Sequence, residues 1–174
     1  ADAHIPRWIY NPSYESFADL FTAAPCLDGL MIFNSEQLGH NISRNAMGRR
    51  VTQKLGKLFA AHPADAEVSV SYQGGEPTLM GLEFFARSVE LATRFAGPRQ
   101  SVLHTIQTNG TLLTDEWCAF LKEHDFMVGI SLDGPQAIHD RYRRDRKGNG
   151  SFEKAMQGLR LLQKHRVDYN VLAS

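Results

Sequence analysis

Val68-Ser69-Val70-Ser71-Tyr72-Gln73-Gly74-Gly75-Glu76-Pro77 starts as a strand-like run and ends in a glycine turn closed by proline. Two glycines at a strand end let a ligand approach the main chain, and proline stops further strand pairing. The same grammar repeats downstream. Phe85, Val89, Ala92 and Ala96 form a helical stripe, and Val102 to Gln107 is a second strand that ends in Thr108-Asn109-Gly110. Thr114 is placed to cap the next helix, with Asp115 and Glu116 in its first turn, where the helix dipole favours acids. Met127 to Leu132 is a third strand, ending in Asp133-Gly134-Pro135. His139 to Gly150 reads as a polar, basic loop. Ser151 then caps a helix whose Phe152, Ala155, Met156, Leu159 and Leu162 share one face, and Val167 to Leu172 is a last strand.

Strands alternating with helical patterns imply βαβ units, hence an α/β fold with a parallel sheet and outer helices. Because such crossovers are right-handed, the C-terminal strand ends share one face, and ligand sites in parallel α/β proteins lie there. The three glycine-containing motifs all fall on that face. Upstream the pattern is weaker. Ile5 to Phe21 has no clean period, Leu27 to Phe33 is a short strand, and Asn34 to Asn45 is loop-like. Val51, Leu55, Leu58 and Phe59 recur as one helical face. The expected organisation is therefore a segment 1–61, holding a first strand and helix, followed by the βα unit 62–174.

Bulk properties narrow the function. The 174 residues suit one domain, and Lys plus Arg balance Asp plus Glu at 19 each. That balance argues against a nucleic-acid or membrane-surface partner. No apolar run approaches the roughly 20 residues that span a bilayer, and Ala1 to Tyr10 lacks a signal pattern, so a cytoplasmic location is expected. Cys26 and Cys118 are the only cysteines. Two thiols supply neither a disulfide framework nor the thiolates of an iron–sulfur cluster.

Each motif has a plainer alternative. Asn109-Gly110 and Asp133-Gly134 are also hairpin dipeptides, but both precede helical patterns, which makes them strand-to-helix turns. Strand-end carbonyls and the Glu76 carboxylate would favour a cationic ligand group such as an ammonium; the alternative is a loop with an exposed Glu. Ser131 and Asp133 share a face if the strand persists, and hydroxyl plus carboxylate suits ribose hydroxyls; otherwise they are a sheet Ser and a turn Asp. His104 and His139 read as structural. Arg141, Arg143, Arg144, Arg146 and Lys147 form a solvated basic loop, from which one guanidinium could grip a ligand carboxylate.

Together these segments resemble the radical S-adenosylmethionine enzymes. Val70 to Leu79, Gln107 to Leu113, Asp115 to Cys118, Val128 to Pro135 and Val167 to Leu172 are similar to the anaerobic sulfatase-maturating enzymes, from about His62 to Leu172. The resemblance implies a partial (βα) barrel, S-adenosylmethionine and a four-iron four-sulfur cluster as cofactors, and a sulfatase polypeptide whose Cys or Ser is oxidised to formylglycine. It also implies that Gly74, Gly75, Glu76 and Pro77 bind the methionyl amino group beside Gln73 and Asn109, that Ser131 and Asp133 lie on the cofactor-contacting strand, and that Arg143 partners the carboxylate. The family holds its cluster on Cys-x3-Cys-x2-Cys after the first strand. Here Cys26 is the best-placed cysteine, as the one metal ligand of an incomplete motif. The expectation is a truncated member that does not run the reaction alone, with open sheet edges that favour self-association. The alternative is a non-catalytic nucleotide-binding or protein-interaction module.

Overall fold

The computed structural model describes residues 29–33 and 55–173. Five strands form one sheet in chain order: β1 (Gly29–Phe33), β2 (Glu67–Gln73), β3 (Ser101–Thr108), β4 (Met127–Ser131) and β5 (Asp168–Leu172). Every neighbouring pair is parallel. The helices are α1 (residues 55–61), α2 (Leu82–Phe95), α3 (Asp115–Glu123), α4 (Gln136–Tyr142) and α5 (Phe152–Lys164), with a 3-10 turn at Pro77–Met80. Sequential strand order with crossovers of one hand places the helices on one side of the sheet. This is the partial βα barrel expected from the sequence.

Strand alternation separates the two faces. Val68, Val70, Tyr72, Ile106, Val128 and Ile130 are buried among Leu55, Leu58, Phe85, Leu91, Trp117, Leu121 and Leu162. The intervening positions, Ser71, Gln73, Thr105, Gln107, Gly129, Ser131 and Asn170, carry small or polar groups. The apolar face is the core, and the polar face is left to line a site. Tyr72 and Phe85 rings meet at 4.7 Å between centroids, and the Tyr72 hydroxyl meets the Ser88 hydroxyl at 2.5 Å. Burial drives the Tyr72 hydroxyl pKa far above its ordinary value, so the group stays neutral.

Most expected elements form with ends shifted by a residue or two. The strand placed over Leu27 to Phe33 is β1 from Gly29, while Leu27, Asp28, Asn34 to Asn45, Val51, Ile5 to Phe21 and Cys26 lie outside the described residues. On α2 the buried set is Phe85, Ser88, Leu91 and Ala92; Val89 is only partly covered and Ala96 is the cap residue. The expected loop His139 to Gly150 begins with the last residues of α4. Its single buried residue, His139, leaves no apolar stripe to read. Thr114 Oγ1 caps α3 by accepting Trp117 N–H at 3.2 Å. Ser151 stands at the start of α5, but its hydroxyl is used elsewhere, and Asp140 Oδ1 accepts the Phe152 N–H instead, at 2.9 Å.

One helix approaches the strand-end motifs closely. Gly110 adopts φ +74° in its turn, and a Cβ there would meet Ile130 Cδ1 at 2.6 Å. On α5, a Cβ at Gly158 would collide with the Gly110 carbonyl oxygen. Gly158→Ala should therefore destabilise the protein by about 1–3 kcal/mol through overpacking, although Ala is the better helix former by about 1 kcal/mol. Urea denaturation measures this as a lowered midpoint at unchanged slope.

Candidate site at the strand ends

The glycine turn after β2 is built for close approach, with Gly74 at φ +98° and Gly75 at φ +55°, both left-handed. Next in the chain, Glu76 folds back on its neighbours. Its Oε1 accepts from Thr78 N at 3.1 Å, from Thr78 Oγ1 at 2.5 Å and from Thr108 Oγ1 at 2.6 Å. Its Oε2 accepts from Asn109 N at 2.8 Å. One carboxylate thus ties the Gly-Gly-Glu-Pro turn to the Thr-Asn-Gly turn. The second turn is braced internally, since Thr108 Oγ1 accepts Gly110 N–H at 3.1 Å and Asn109 Oδ1 accepts Thr111 N–H at 2.9 Å.

The third motif joins through the polar face. Gln107 Nε2 donates to Ser131 Oγ at 3.0 Å. Gly129, the register partner of Gln107 on β4, makes room: a Cβ there would collide with Gln107 Oε1. Beside this pair, Thr105 Oγ1 donates to Ser71 Oγ at 2.8 Å. Ser71, Gln73, Thr105, Gln107, Gly129 and Asn170 are among the residues lining a cavity of about 330 Å³. Its polar groups are hydroxyls and carboxamides, which suit a ligand recognised by hydrogen bonds.

Asp133 and Arg143 are placed differently. β4 ends at Ser131, so strand alternation does not extend to Asp133. Its buried carboxylate is gripped by Arg143, with Nε at 2.5 Å from Oδ2 and Nη2 at 3.1 Å from Oδ1. The two form a bidentate pair of the strong charge-assisted kind. Of the residues singled out from the sequence, Gln73 lines the cavity; Gly74, Gly75, Glu76 and Pro77 follow it in the turn after β2, Asn109 stands in the turn after β3, and Ser131 ends β4. Gln107 and Thr78 are not singled out by the sequence, and Thr108 only as the first residue of the Thr-Asn-Gly turn. For Gln107 the available signal was its alternation with Thr105 along a strand that ends in a ligand turn. The Thr pair becomes visible only once Glu76 is seen to turn inward.

Among the described residues, no group of three or more His, Cys, Asp or Glu side chains is arranged to hold a metal ion. Cys118 is fully buried on α3, and burial, with the nearby Asp115 charge, pushes its thiol up to about 11. Such a thiol stays protonated and is a poor ligand. No helix among the described residues is long and apolar enough to cross a membrane.

Comparison with known proteins gives the family. The family model described as the radical SAM superfamily matches residues 41–173. A serine-type anaerobic sulfatase-maturating enzyme of Bacteroides thetaiotaomicron is 47% identical over 130 residues, covering 75% of this chain and 31% of that protein. The serine-type enzyme of Klebsiella aerogenes is 40% identical over 71% of this chain and 31% of its own length. The cysteine-type enzyme of Clostridium novyi is 41% identical over 65% of this chain and 30% of its own. The solved structure of native anSMEcpe with bound AdoMet and Cp18Cys peptide superposes with a TM-score of 0.70 at 34% identity, covering 77% of this chain and 36% of that one. The chain thus spans about a third of the length of these relatives.

Proposed function

The chain belongs to the radical SAM superfamily, and from that membership we propose that it is the S-adenosylmethionine-binding part of an anaerobic sulfatase-maturating enzyme. The observation that carries this reading is the Glu76 carboxylate bridging two strand-end turns, the first of which follows directly on Gln73 in the cavity lining. In this reading the Gly74-Gly75 turn and its neighbours Gln73 and Pro77 receive the methionyl ammonium on main-chain carbonyls. Glu76 and Asn109 hold that turn in place. Ser131, whose oxygen already accepts from Gln107, keeps its own proton to donate to the ligand. Asp133 and Arg143 shape the rim as a pair, and Arg143 meets a ligand carboxylate only by sharing its grip on Asp133. The macromolecular partner is a sulfatase polypeptide presenting Cys or Ser, in a cytoplasmic setting. Self-association would use the sheet edge at β5, where Val171 and Leu172 are about half exposed.

The residues present do not fit a thiolate-held iron–sulfur cluster. Residues 34–54, which follow β1, contain no cysteine, and the chain has two in all. Cys118 is sequestered in the core. No step of a radical reaction is therefore assigned to this chain, and the reading is binding without cleavage. The cysteine count favours the second reading as well, a non-catalytic module that keeps the pocket.

Calorimetry with S-adenosylmethionine is expected to show binding. Anaerobic treatment with iron and sulfide is expected to give neither a stable charge-transfer absorbance nor 5′-deoxyadenosine. Production of 5′-deoxyadenosine would overturn the non-cleaving part, and absence of binding would overturn the ligand. A complex with a Cys- or Ser-bearing sulfatase peptide separates the maturase reading from the stand-alone module.

A further inference from the structure

His139 plays no part in the site described so far, yet it is 1% exposed and both of its ring nitrogens are engaged. The Asp133 N–H donates to Nδ1 at 3.2 Å. A nitrogen that accepts carries no proton, so the ring proton is on Nε2, which faces Ser151 Oγ at 3.0 Å. Ser151 then gives its hydroxyl proton to the Arg143 carbonyl oxygen at 3.0 Å. Arg143 closes the circuit by gripping the Asp133 carboxylate. The direction of the chain of bonds is set by its two irreversible members: an amide N–H can only donate, and a carbonyl oxygen can only accept.

The circuit joins the end of β4, helix α4, the segment 143–150 and the start of α5. Beyond the circuit, α4 is tied to α5 by Asp140 Oδ1, which accepts the Phe152 N–H at 2.9 Å. Helix α4 has seven residues, His139 is its one buried side chain, and Ile138 and Tyr142 are 52% and 71% exposed. Hydrophobic burial therefore does not explain where this segment sits, whereas the hydrogen bonds do.

We propose that His139 is a positioning residue for the ligand site. By accepting the Asp133 N–H, two residues beyond Ser131, it fixes the turn from which both the Ser131 hydroxyl and the Asp133 carboxylate are presented. This inference rests on the S-adenosylmethionine reading given above. Removing the acceptor takes this bond from a buried amide N–H, and the turn responds by moving toward water. The Glu76 clamp ties the turn after β2 to the end of β3, on elements other than those of the circuit, so its geometry is retained.

The test uses nitrogen-15 NMR of the imidazole together with calorimetry on three forms of the chain. The wild type is expected to show the Nε2–H tautomer of His139 and a slowly exchanging Asp133 amide. His139→Phe should bind S-adenosylmethionine about tenfold more weakly while the Asn109 amide stays protected. His139→Asn, whose carboxamide oxygen stands near the place of Nδ1, should recover most of that affinity and the protection at Asp133. An Nδ1–H tautomer, or Phe and Asn variants that bind alike, would overturn the proposal. Wild-type protein that fails to bind at all would instead overturn the ligand reading on which it depends.

Discussion

Glu76→Ala is expected to abolish measurable S-adenosylmethionine binding and to cost about 2–4 kcal/mol of stability, the cost of stranding several partly buried donors at once. The wild-type carboxylate accepts four hydrogen bonds, two of them from main-chain N–H groups at Thr78 and Asn109. An alanine offers those donors nothing. The two hydroxyls can rotate to new partners, but the two amides can be satisfied only by water entering between the turns. That separation would move Gly74 and Gly75 away from Asn109, dismantling the surface proposed to receive the ligand. Glu76→Gln should fall between, at about 1–2 kcal/mol, because its NH2 must face one of the groups that formerly donated to the carboxylate. Urea denaturation and calorimetry measure the two effects separately. An Ala variant of undiminished stability would refute the clamp; lost stability with retained binding would confine Glu76 to a structural role.

How far this arrangement could be read from the chain depends on whether a signal is local. The turns at Gly74-Gly75 and Gly110 announce themselves because only glycine adopts their positive φ cheaply, and the strands before them alternate cleanly. Helix α5 is likewise legible through its apolar stripe. Helix α4 is not, since it is held by hydrogen bonds through His139 and Asp140 and not by a buried face. Capping was legible in position and not in chemistry. Thr114 caps α3 as expected, while at α5 the Ser151 hydroxyl is drawn into the His139 circuit and Asp140, twelve residues before Phe152, supplies the cap. The pairing of Asp133 with Arg143 and of Glu76 with Thr108 spans separate elements, so spacing alone carries no trace of either. Residue identity indicated that these carboxylates matter; only the fold shows what each one holds.

The second large effect is expected from acid. His104 lies on the helix-facing side of β3, its ring stacked at 4.9 Å on Phe126 and 6.3 Å from Tyr72. Its Nδ1 is buried without a hydrogen-bond partner among the described residues. Burial, helped by the charge of His124, lowers its pKa from 6.5 to about 4. Above pH 6.5 the ring is neutral in both folded and unfolded chains and contributes no pH dependence. Between pH 6.5 and 4 the unfolded chain takes up the proton first, so stability falls as pH falls, by about 3 kcal/mol across the window. Below pH 4 both states are protonated and the loss is complete. The carboxylates of Asp115 and Asp145, held below their ordinary 3.8 by their hydrogen-bond partners, lose their contributions only at still lower pH. His104→Phe keeps the stack and removes the titration. Its urea midpoint should therefore decline less than that of the wild type between pH 6.5 and 4, by the equivalent of about 3 kcal/mol. Equal slopes for the two proteins would mean that water reaches His104 in the folded state. Because β3 also carries Gln107 and Thr108 into the site, ligand binding should weaken over the same interval in the wild type and be spared in the variant.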